Sequence, residues 1–164
     1  MYKILFVCLG NICRSPAADG VMRKLTEQCG VSECFEIDSA GIGSWHTGQL
    51  PDRRMRQCGA LHGYVFDHRA RQVKSLDFEC FDYILGMDED NMFDLRQLKS
   101  QYDAGNAHAS KAKLLCLADF LRRHPGQKSI PDPYYGSQSD FEFALQLIED
   151  ACEGLIDTLS PELP

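Results

Sequence analysis

The chain has 164 residues, of which 44% are hydrophobic and 25% are charged, and its formal net charge is -7. This composition is typical of a globular protein, so we expect one domain over residues 1–164, with residues 161–164 forming a tail. The negative charge argues against nucleic acid as a partner, because phosphate backbones select basic surfaces. Any phosphate site in this chain must therefore be made positive locally.

Eight cysteines are compatible with a disulfide framework, so the expected state of the thiols depends on whether the protein resides in an oxidising or a reducing compartment. The N-terminal apolar run, residues 4–7, is too short for a signal peptide, and no stretch approaches the roughly 20 apolar residues of a membrane span. We therefore expect a cytoplasmic protein with no membrane span and with reduced thiols, most of them buried as small apolar groups.

Apolar runs alternate with helical patterns along the chain, which predicts an α/β fold with a parallel sheet and helices on both faces. The predicted strands lie at residues 2–7, 35–39, 81–87 and 113–117. The first helix is capped by Ser15, has Pro16 at its first position and ends at Gly30. The other helices are placed at residues 51–63, at residues 88–98, and from a capping box of Ser139 and Glu142 through residue 159.

The segment from Cys8 to Ser15 follows a buried strand and opens a helix, which is where α/β folds bind ligands. Loop amides, the positive end of the helix and Arg14 all favour a thiolate at Cys8, and Ser15 can donate a hydrogen bond to the sulfur. Gly10 lets the loop turn its amides inward, and Asn11 tolerates a left-handed backbone. Arg14 offers a planar fork for two phosphate oxygens. Together these residues predict phosphoryl transfer through a cysteine nucleophile.

The spacing of cysteine and arginine is weak evidence alone, because Cys116 and Arg122 stand equally far apart. The segment between them is apolar, lacks glycine and is followed by Arg123 instead of a hydroxyl residue. We interpret this second match as a coincidence. The less favoured alternative for Cys8 is a buried cysteine before a plain turn.

Asp132 is the candidate proton donor, because a phenoxide leaves faster when an acid protonates it. Prolines on both sides fix the backbone around Asp132. We expect Tyr134 and Tyr135 to shield this carboxylate from water, to line the mouth of the cleft and to stack on an aromatic leaving group. The segment alone is typical of a turn, and only its pairing with the Cys8 loop favours catalysis.

Residues 7–16 and 132–136 resemble the end motifs of the low-molecular-weight protein tyrosine phosphatases. Further landmarks in the family's order stand at residues 38–41, 51–52, 68–72 and 87–89. The resemblance implies a single domain with a four-stranded parallel sheet. It also implies hydrolysis of phosphotyrosine in proteins, without metal or cofactor, through a cysteinyl phosphate, with Asp132 as acid and then base. We expect a monomer, and weak self-association is left open.

The resemblance also assigns supporting roles. It implies that Ser15, Ser39 and His68 brace Asn11. From the sequence alone, a histidine such as His68 is more often solvated or packed in a core. It places Leu9, Ile12 and Trp45 around the substrate ring, and for Trp45 a loop anchor is an equal alternative. It implies that Cys13 bonds Cys8 reversibly under oxidation. We interpret the basic run at residues 69–74 as a solvated face.

Three alternatives remain open. Arsenate reductases with this loop carry paired redox cysteines in a mobile segment, whereas Cys80 has no cysteine close behind it. Phosphoarginine phosphatases carry threonine where Ile12 stands. A non-catalytic phosphate-binding module would keep Arg14 but has no need for Cys8 or Asp132, and both are present.

Overall fold

Strand β1 (Tyr2–Cys8) forms the centre of the molecule. In this computed structural model, which describes residues 1–160, β1 pairs with β2 (Phe35–Gly41) on one side and with β3 (Tyr83–Gly86) on the other. Strand β4 (Lys113–Cys116) completes the sheet beside β3. All pairs are parallel and the order is β2-β1-β3-β4, which confirms the predicted α/β fold with a four-stranded parallel sheet. The predicted tail at residues 161–164 lies outside the described residues.

Five α-helices connect and cover these strands within residues 1–160. They are α1 (Arg14–Gln28), α2 (Arg53–Leu61), α3 (Asp77–Cys80), α4 (Glu89–Gly105) and α5 (Gln138–Leu159). Short 3₁₀ helices lie at Ser32–Cys34 and Leu117–Phe120. None of the helices in the described part of the chain combines the length and the hydropathy needed to cross a bilayer.

The alternation of side chains along β1 divides the core into two parts. Ile4 and Phe6 lie in the apolar cluster formed with α1 and α5, whereas Leu5 and Val7 lie in the cluster on the other face, with residues of α3 and α4. All four side chains are fully buried. Because both faces of β1 are covered, its carboxyl end is held rigidly, and that end carries Cys8.

The strand order reverses direction between β1 and β3, since the chain passes from β1 outward to β2 and returns to β3 on the other side. Loops that leave the carboxyl ends of such strands diverge and form a crevice. The segment after β4 reaches the same edge, where the Ile130 amide donates a 2.8 Å hydrogen bond to the Met87 carbonyl. The segments that follow β1, β3 and β4, which are distant in sequence, therefore meet at the carboxyl edge of the sheet.

Two predicted helix starts are wrong in detail. Helix α1 begins at Arg14, and its N-cap is Cys13 rather than Ser15. The Ser15 hydroxyl is instead turned toward Cys8 and Asn11. The capping box of α5 is formed by Ser137 and Asp140, two residues before the predicted pair. Sequence spacing permits both boxes, and Glu142 is occupied elsewhere, in an ion pair with His62 of α2.

Helix α4 extends seven residues beyond the predicted end at Leu98, to Gly105. The extension is stabilised by packing, because the Tyr102 ring lies against Phe78 of the α3 turn at a centroid distance of 6.1 Å. Both α3 and the 3₁₀ helices were absent from the prediction, because elements this short leave little hydrophobic periodicity.

Replacing Gly154 in α5 by alanine tests the close approach of this helix to the Phe120 backbone. An added Cβ would stand 2.1 Å from the Phe120 carbonyl oxygen, so helix and backbone must separate. We expect Gly154→Ala to lower the free energy of unfolding by about 1–3 kcal/mol, measured by urea denaturation. Gly105→Ala, in α4, is the control, because among residues 1–160 no atom beyond its chain neighbours and its own helix backbone lies within 4 Å of the added Cβ. Equal stability of the two variants would contradict this packing.

Candidate active site

The loop between β1 and α1 is held against the sheet by its backbone. The Cys8 and Leu9 carbonyls accept 2.9 Å hydrogen bonds from the amides of Ile42 and Gly43, which follow β2. Asn11 has a φ of 57°, in the left-handed region that most residues with a Cβ avoid. The loop therefore depends on contacts that stabilise an unfavourable turn at Asn11.

Those contacts come from the buried side chain of Asn11. Its amide nitrogen donates to the hydroxyls of Ser15 at 2.8 Å and Ser39 at 3.0 Å. Its carbonyl oxygen accepts a 3.0 Å hydrogen bond from the Arg71 amide. The amide side chain thus ties α1, β2 and the segment at residue 71 to the centre of the loop.

Cys8 ends β1 with its side chain buried at the floor of a cleft. Its sulfur lies 3.0 Å from the Ser15 hydroxyl oxygen. That oxygen already accepts from Asn11, so its own hydrogen is free to be donated, either to the sulfur or to the Ala40 carbonyl at 3.3 Å. The shorter contact is the one to sulfur, and a hydroxyl donor there favours the thiolate form.

Arg14 is almost completely buried beside the loop. One terminal nitrogen donates to Asp88 at 2.5 Å and to the Ile130 carbonyl at 3.0 Å, and the other lies 3.3 Å from Asp132. Burial opposes the charge of the guanidinium, but Cys8, Asp88 and Asp132 outweigh that effect and raise the pKa of Arg14. Its Nε is buried without a partner among residues 1–160, which leaves a donor for an anion.

Asp132 lies at the edge of the same cleft. One carboxylate oxygen faces Arg14, and the other accepts from the Tyr134 amide at 3.2 Å. The side chain remains 39% exposed, and Tyr135 is 96% exposed, so the expectation that the tyrosines shield Asp132 from water is wrong. The two rings pack edge to face on each other, with centroids 4.9 Å apart, rather than over the carboxylate.

The cleft has a volume of about 300 Å³ and an aromatic mouth. Trp45 is 68% exposed and lies beside Gly43, where it leaves no room for a Cβ. The Arg54 guanidinium lies over the Tyr134 ring at 5.3 Å, which steadies the opposite wall. The structure brings the following predicted residues together in the lining: Cys8, Leu9, Gly10, Ile12, Cys13, Arg14, Trp45, Asp132, Tyr134 and Tyr135.

Known proteins resemble this chain along nearly its whole length. Residues 3–164 match the family model described as low molecular weight phosphotyrosine protein phosphatase. The chain belongs to this family. It is 42% identical over 155 residues to the low molecular weight phosphotyrosine protein phosphatase of Homo sapiens, with 94% of each chain covered.

Solved structures extend the likeness to the fold. A protein tyrosine phosphatase from Entamoeba histolytica, with Hepes in its active site, superimposes with a TM-score of 0.89 at 42% identity over 99% of both chains. A Drosophila arginine phosphatase superimposes with a TM-score of 0.85 at 31% identity, over 95% of this chain and 96% of that one. The fold is thus shared with enzymes of two named specificities.

Four residues around the site of this phosphatase escaped sequence reasoning as site residues. Asp88, Ile130 and Arg71 hold Arg14 or Asn11, and His46 joins the cleft lining. Asp88 could have been found, because it lies two residues after β3 at the carboxyl edge of the sheet. The other three contacts depend on how distant loops fold back, which leaves no pattern in the sequence.

The interpretation of residues 69–74 as a solvated face is wrong for Arg71. Its guanidinium donates to Asp38 and Asp77 at distances between 2.9 and 3.2 Å. Burial opposes its charge, but the hydrogen bonds and charges of both carboxylates outweigh burial and raise the pKa of Arg71. The ion pairs fix the Arg71 backbone, whose amide supports Asn11.

His68 lies in a neighbouring charged cluster, behind the loop. Its Nδ1 is 3.6 Å from carboxylate oxygens of both Asp19 and Asp38, and burial raises the pKa of Asp19. None of the hydrogen bonds of Asn11 within residues 1–160 involves His68. Direct bracing of Asn11 therefore comes from Ser15, Ser39 and Arg71, and His68 reaches the network only through Asp38, the residue before Ser39.

The second cysteine and arginine pair has no comparable setting. Cys116 ends β4 and is followed directly by the 3₁₀ helix Leu117–Phe120 instead of an open loop. The Arg122 side chain is 48% exposed and pairs with Asp157 of α5. This region lacks the turned loop and the buried guanidinium found at Cys8.

Replacing Ser15 by alanine tests the hydroxyl contact to sulfur. A hydrogen bond to a charged group contributes about 1.5–3 kcal/mol, so its loss corresponds to a change of about tenfold to 100-fold in the equilibrium between thiol and thiolate. We expect Ser15→Ala to slow iodoacetamide alkylation of Cys8 at neutral pH by up to that factor, measured by mass spectrometry of the Cys8 peptide. Ser39→Ala is the matched control, because it removes the other hydroxyl bonded by Asn11 but leaves the sulfur contact. Equal slowing in both variants would assign the effect to the loop rather than to the sulfur.

Proposed function

We propose that this tyrosine phosphatase hydrolyses phosphotyrosine in proteins, and small aryl phosphates, by two displacements at the sulfur of Cys8. The observation that carries the proposal is the meeting of three groups in one cleft. The Cys8 sulfur has a hydroxyl donor at 3.0 Å, and the buried Arg14 has an unpartnered Nε and lies 3.3 Å from the Asp132 carboxylate. A nucleophile, an anion clamp and a proton donor are the parts that the reaction requires.

In the first displacement the Cys8 thiolate attacks phosphorus and the bond to the tyrosine oxygen breaks. Asp132 gives its proton to that oxygen, so tyrosine leaves as a neutral phenol. Arg14 and the loop amides from Leu9 to Cys13 hold the phosphate oxygens. A phosphate dianion beside Asp132 opposes a second negative charge there and thus favours the carboxylic acid that this step needs.

In the second displacement water attacks the phosphorus of the cysteinyl phosphate. Asp132, now a carboxylate, accepts a proton from the water, the bond between sulfur and phosphorus breaks, and the thiolate is restored. Its exposed position gives Asp132 access to this water. Neither displacement calls on a metal or another cofactor, so turnover is expected in the presence of a chelator.

The aromatic mouth supports a tyrosine substrate. Trp45, Tyr134 and Tyr135 are exposed around the cleft, and an aromatic leaving group can pack against such rings. Ile12 lines the cleft where the phosphoarginine phosphatases carry threonine, so the lining presents an apolar group at that position. Arsenate reduction would require a further redox cysteine in reach, and the exposed Cys80, at the end of α3, does not line the cleft.

The cleft also supports oxidative regulation through Cys13. Burial, together with Asp52 and Cys8, raises the pKa of the Cys13 thiol above its ordinary value, which disfavours Cys13 as the first thiol to react. Peroxide would convert the Cys8 thiolate to a sulfenic acid, releasing hydroxide. The Cys13 thiol would then form the disulfide and release water. We further propose that the protein acts in the cytoplasm, where thiols are kept reduced, and that it acts as a monomer.

Replacing Asp132 by asparagine tests the general acid. We expect Asp132→Asn to reduce kcat for para-nitrophenyl phosphate by about 10²–10⁴-fold, in reducing buffer with chelator, because the amide cannot supply a proton. The loss should be larger for phenyl phosphate, whose leaving group needs protonation more. Asp119→Asn, an exposed carboxylate outside the cleft, should leave kcat unchanged, and Cys8→Ser should abolish it.

Two outcomes would contradict this assignment. An identical loss for both substrates would show that Asp132 holds Arg14 rather than supplying the proton. Turnover by Cys8→Ser, or absence of turnover in the folded unmodified protein, would remove the cysteinyl phosphate altogether.

Replacing Cys13 by serine tests the oxidative protection. We expect the unmodified protein to lose two thiols with peroxide and to regain activity with dithiothreitol. Cys13→Ser should instead lose activity permanently, because Cys8 proceeds to the sulfinic acid. Cys29→Ser, an exposed cysteine elsewhere, should recover like the unmodified protein. Full recovery by Cys13→Ser would count against the disulfide.

A further inference from the structure

Three potential metal ligands converge where α2 meets α5, outside the cleft. Cys58 lies in the last turn of α2, His62 follows one turn later at its C-cap, and Glu142 lies in the second turn of α5. The Cys58 sulfur, a ring nitrogen of His62 and a carboxylate oxygen of Glu142 all lie within 4.8 Å of one another. None of the three lines the cleft around Cys8, so the proposed phosphatase chemistry does not account for them.

Helix geometry explains why the side chains meet. Residues four apart lie on one face of a helix, so Cys58 and His62 both face α5. His62 Nε2 is 2.7 Å from the Glu142 carboxylate, which fixes the approach of the two helices. Cys58 is buried, yet it borders a hollow of about 460 Å³. Arg54 also lines this hollow, but its guanidinium pairs with Asp52 and lies over the Phe141 ring at 4.7 Å. The sulfur is therefore within reach of a small ion.

The charges at this cluster are left unbalanced. Within residues 1–160 no lysine or arginine forms an ion pair with Glu142, whose partner is His62. Glu149, two turns beyond Glu142 on α5, adds negative charge near Cys58. The cluster of Asp19, Asp38 and His68 differs in this respect, because Arg23 pairs with Asp19 and Arg71 with Asp38. Among residues 1–160 the cluster at Cys58 has no such ion pair with a lysine or arginine, and Arg54, which lines the adjoining hollow, pairs with Asp52 instead.

We propose that Cys58, His62 and Glu142 bind one Zn²⁺, or a divalent cation of similar preference, with water as the fourth ligand. Sulfur, imidazole and carboxylate together suit Zn²⁺ and its substitute Co²⁺ better than Mg²⁺ or Ca²⁺, which prefer oxygen alone. Bonds of about 2.0–2.3 Å in a tetrahedral site set ligand atoms about 3.3–3.6 Å apart. To bind the ion, the His62 and Glu142 side chains must move slightly apart and the Cys58 sulfur must move toward them. The His62 and Glu142 side chains are both partly exposed, which leaves them free to shift.

Binding exchanges a proton for the metal. Burial, with Glu142 and Glu149, raises the pKa of the Cys58 thiol to about 12, so the metal-free sulfur carries hydrogen. On binding, the bond between sulfur and hydrogen is replaced by one between sulfur and metal, and the proton passes to solvent. The ion would link α2 to α5. The N-cap residue of α2, Asp52, donates its backbone amide to the Ile12 carbonyl in the cleft loop, and α5 follows the segment that contains Asp132. Metal binding would thus stiffen two elements that frame the cleft.

The test uses metal binding rather than turnover, so its result is independent of the proposed phosphatase mechanism. The full chain with Cys8→Ser and Cys13→Ser serves as background, because thiols in the cleft also bind metals. We expect this protein to bind one equivalent of Co²⁺ with a thiolate-to-cobalt absorption band in the near ultraviolet, and Zn²⁺ to displace the Co²⁺. Added Cys58→Ala should abolish the band.

The two partly exposed ligands provide variants that preserve the buried thiol. His62→Ala and Glu142→Gln should each weaken Zn²⁺ binding at least about tenfold, since even the loss of an outer-shell partner costs that much. Cys29→Ala and His108→Ala, both exposed residues elsewhere, are the matched controls and should bind as the background does. Folding of every variant is checked by circular dichroism. Absence of the Co²⁺ band in the background protein, its persistence in Cys58→Ala, or unchanged affinity in both His62→Ala and Glu142→Gln would overturn the proposal.

Discussion

The left-handed backbone at Asn11 and the hydrogen bonds that stabilise it are the constraint on which the rest of the site depends. A loop that surrounds a phosphate must turn its amides inward, and here this requires a positive φ at a residue with a Cβ. The Asn11 side chain offsets that cost with donors to Ser15 and Ser39 and an acceptor for the Arg71 amide. Because Ser15, Ser39 and Arg71 lie in three different parts of the chain, the loop adopts this conformation only when the surrounding fold brings them together. The same hydrogen bond that orients Ser15 leaves its hydrogen available to Cys8, so loop shape and sulfur reactivity are linked through one hydroxyl.

The burial of Arg14 is the second constraint, because its charged guanidinium is almost completely shielded from water. Such burial is costly unless the charge is paired, and Asp88 and Asp132 provide the pairing. The two carboxylates act differently. Asp88 is fixed as the N-cap of α4, where it also accepts from the Asn91 amide, whereas Asp132 is exposed on an irregular segment. An incoming phosphate can therefore take the place of Asp132 beside Arg14 while Asp88 keeps the guanidinium in position. The carboxylate that is released from this pairing is the one proposed to move protons.

The sequence was sufficient to predict what local patterns and loop chemistry determine. The buried run before Cys8 fixes β1, the spacing of apolar residues fixes α5, and the placement of Cys8 and Arg14 around a glycine and an asparagine predicts a phosphate loop. Features set by distant contacts escaped prediction. Arg71 looks like part of a solvated basic run until Asp38 and Asp77 are brought to it, and the exposure of Asp132 depends on how two tyrosines pack on each other. The misplaced capping box of α5 has the same origin, because Glu142 matches the local pattern but is turned toward His62 by packing of α2.

An acidic protein that binds phosphate must keep its negative surface from opposing the ligand. With a net charge of -7, long-range attraction cannot supply the affinity, so the site must act at short range. Backbone amides and one buried guanidinium meet this need, because their effect is strong inside a cleft and weak outside it. In the proposed function the aromatic mouth then gains importance, since exposed rings such as Trp45 and Tyr135 would contact the substrate ring without relying on charge. In the proposed function, selectivity for an aryl phosphate over other anions follows from this arrangement, because the loop at Cys8 and Arg14 binds the phosphate and the aromatic walls bind the ring that carries it.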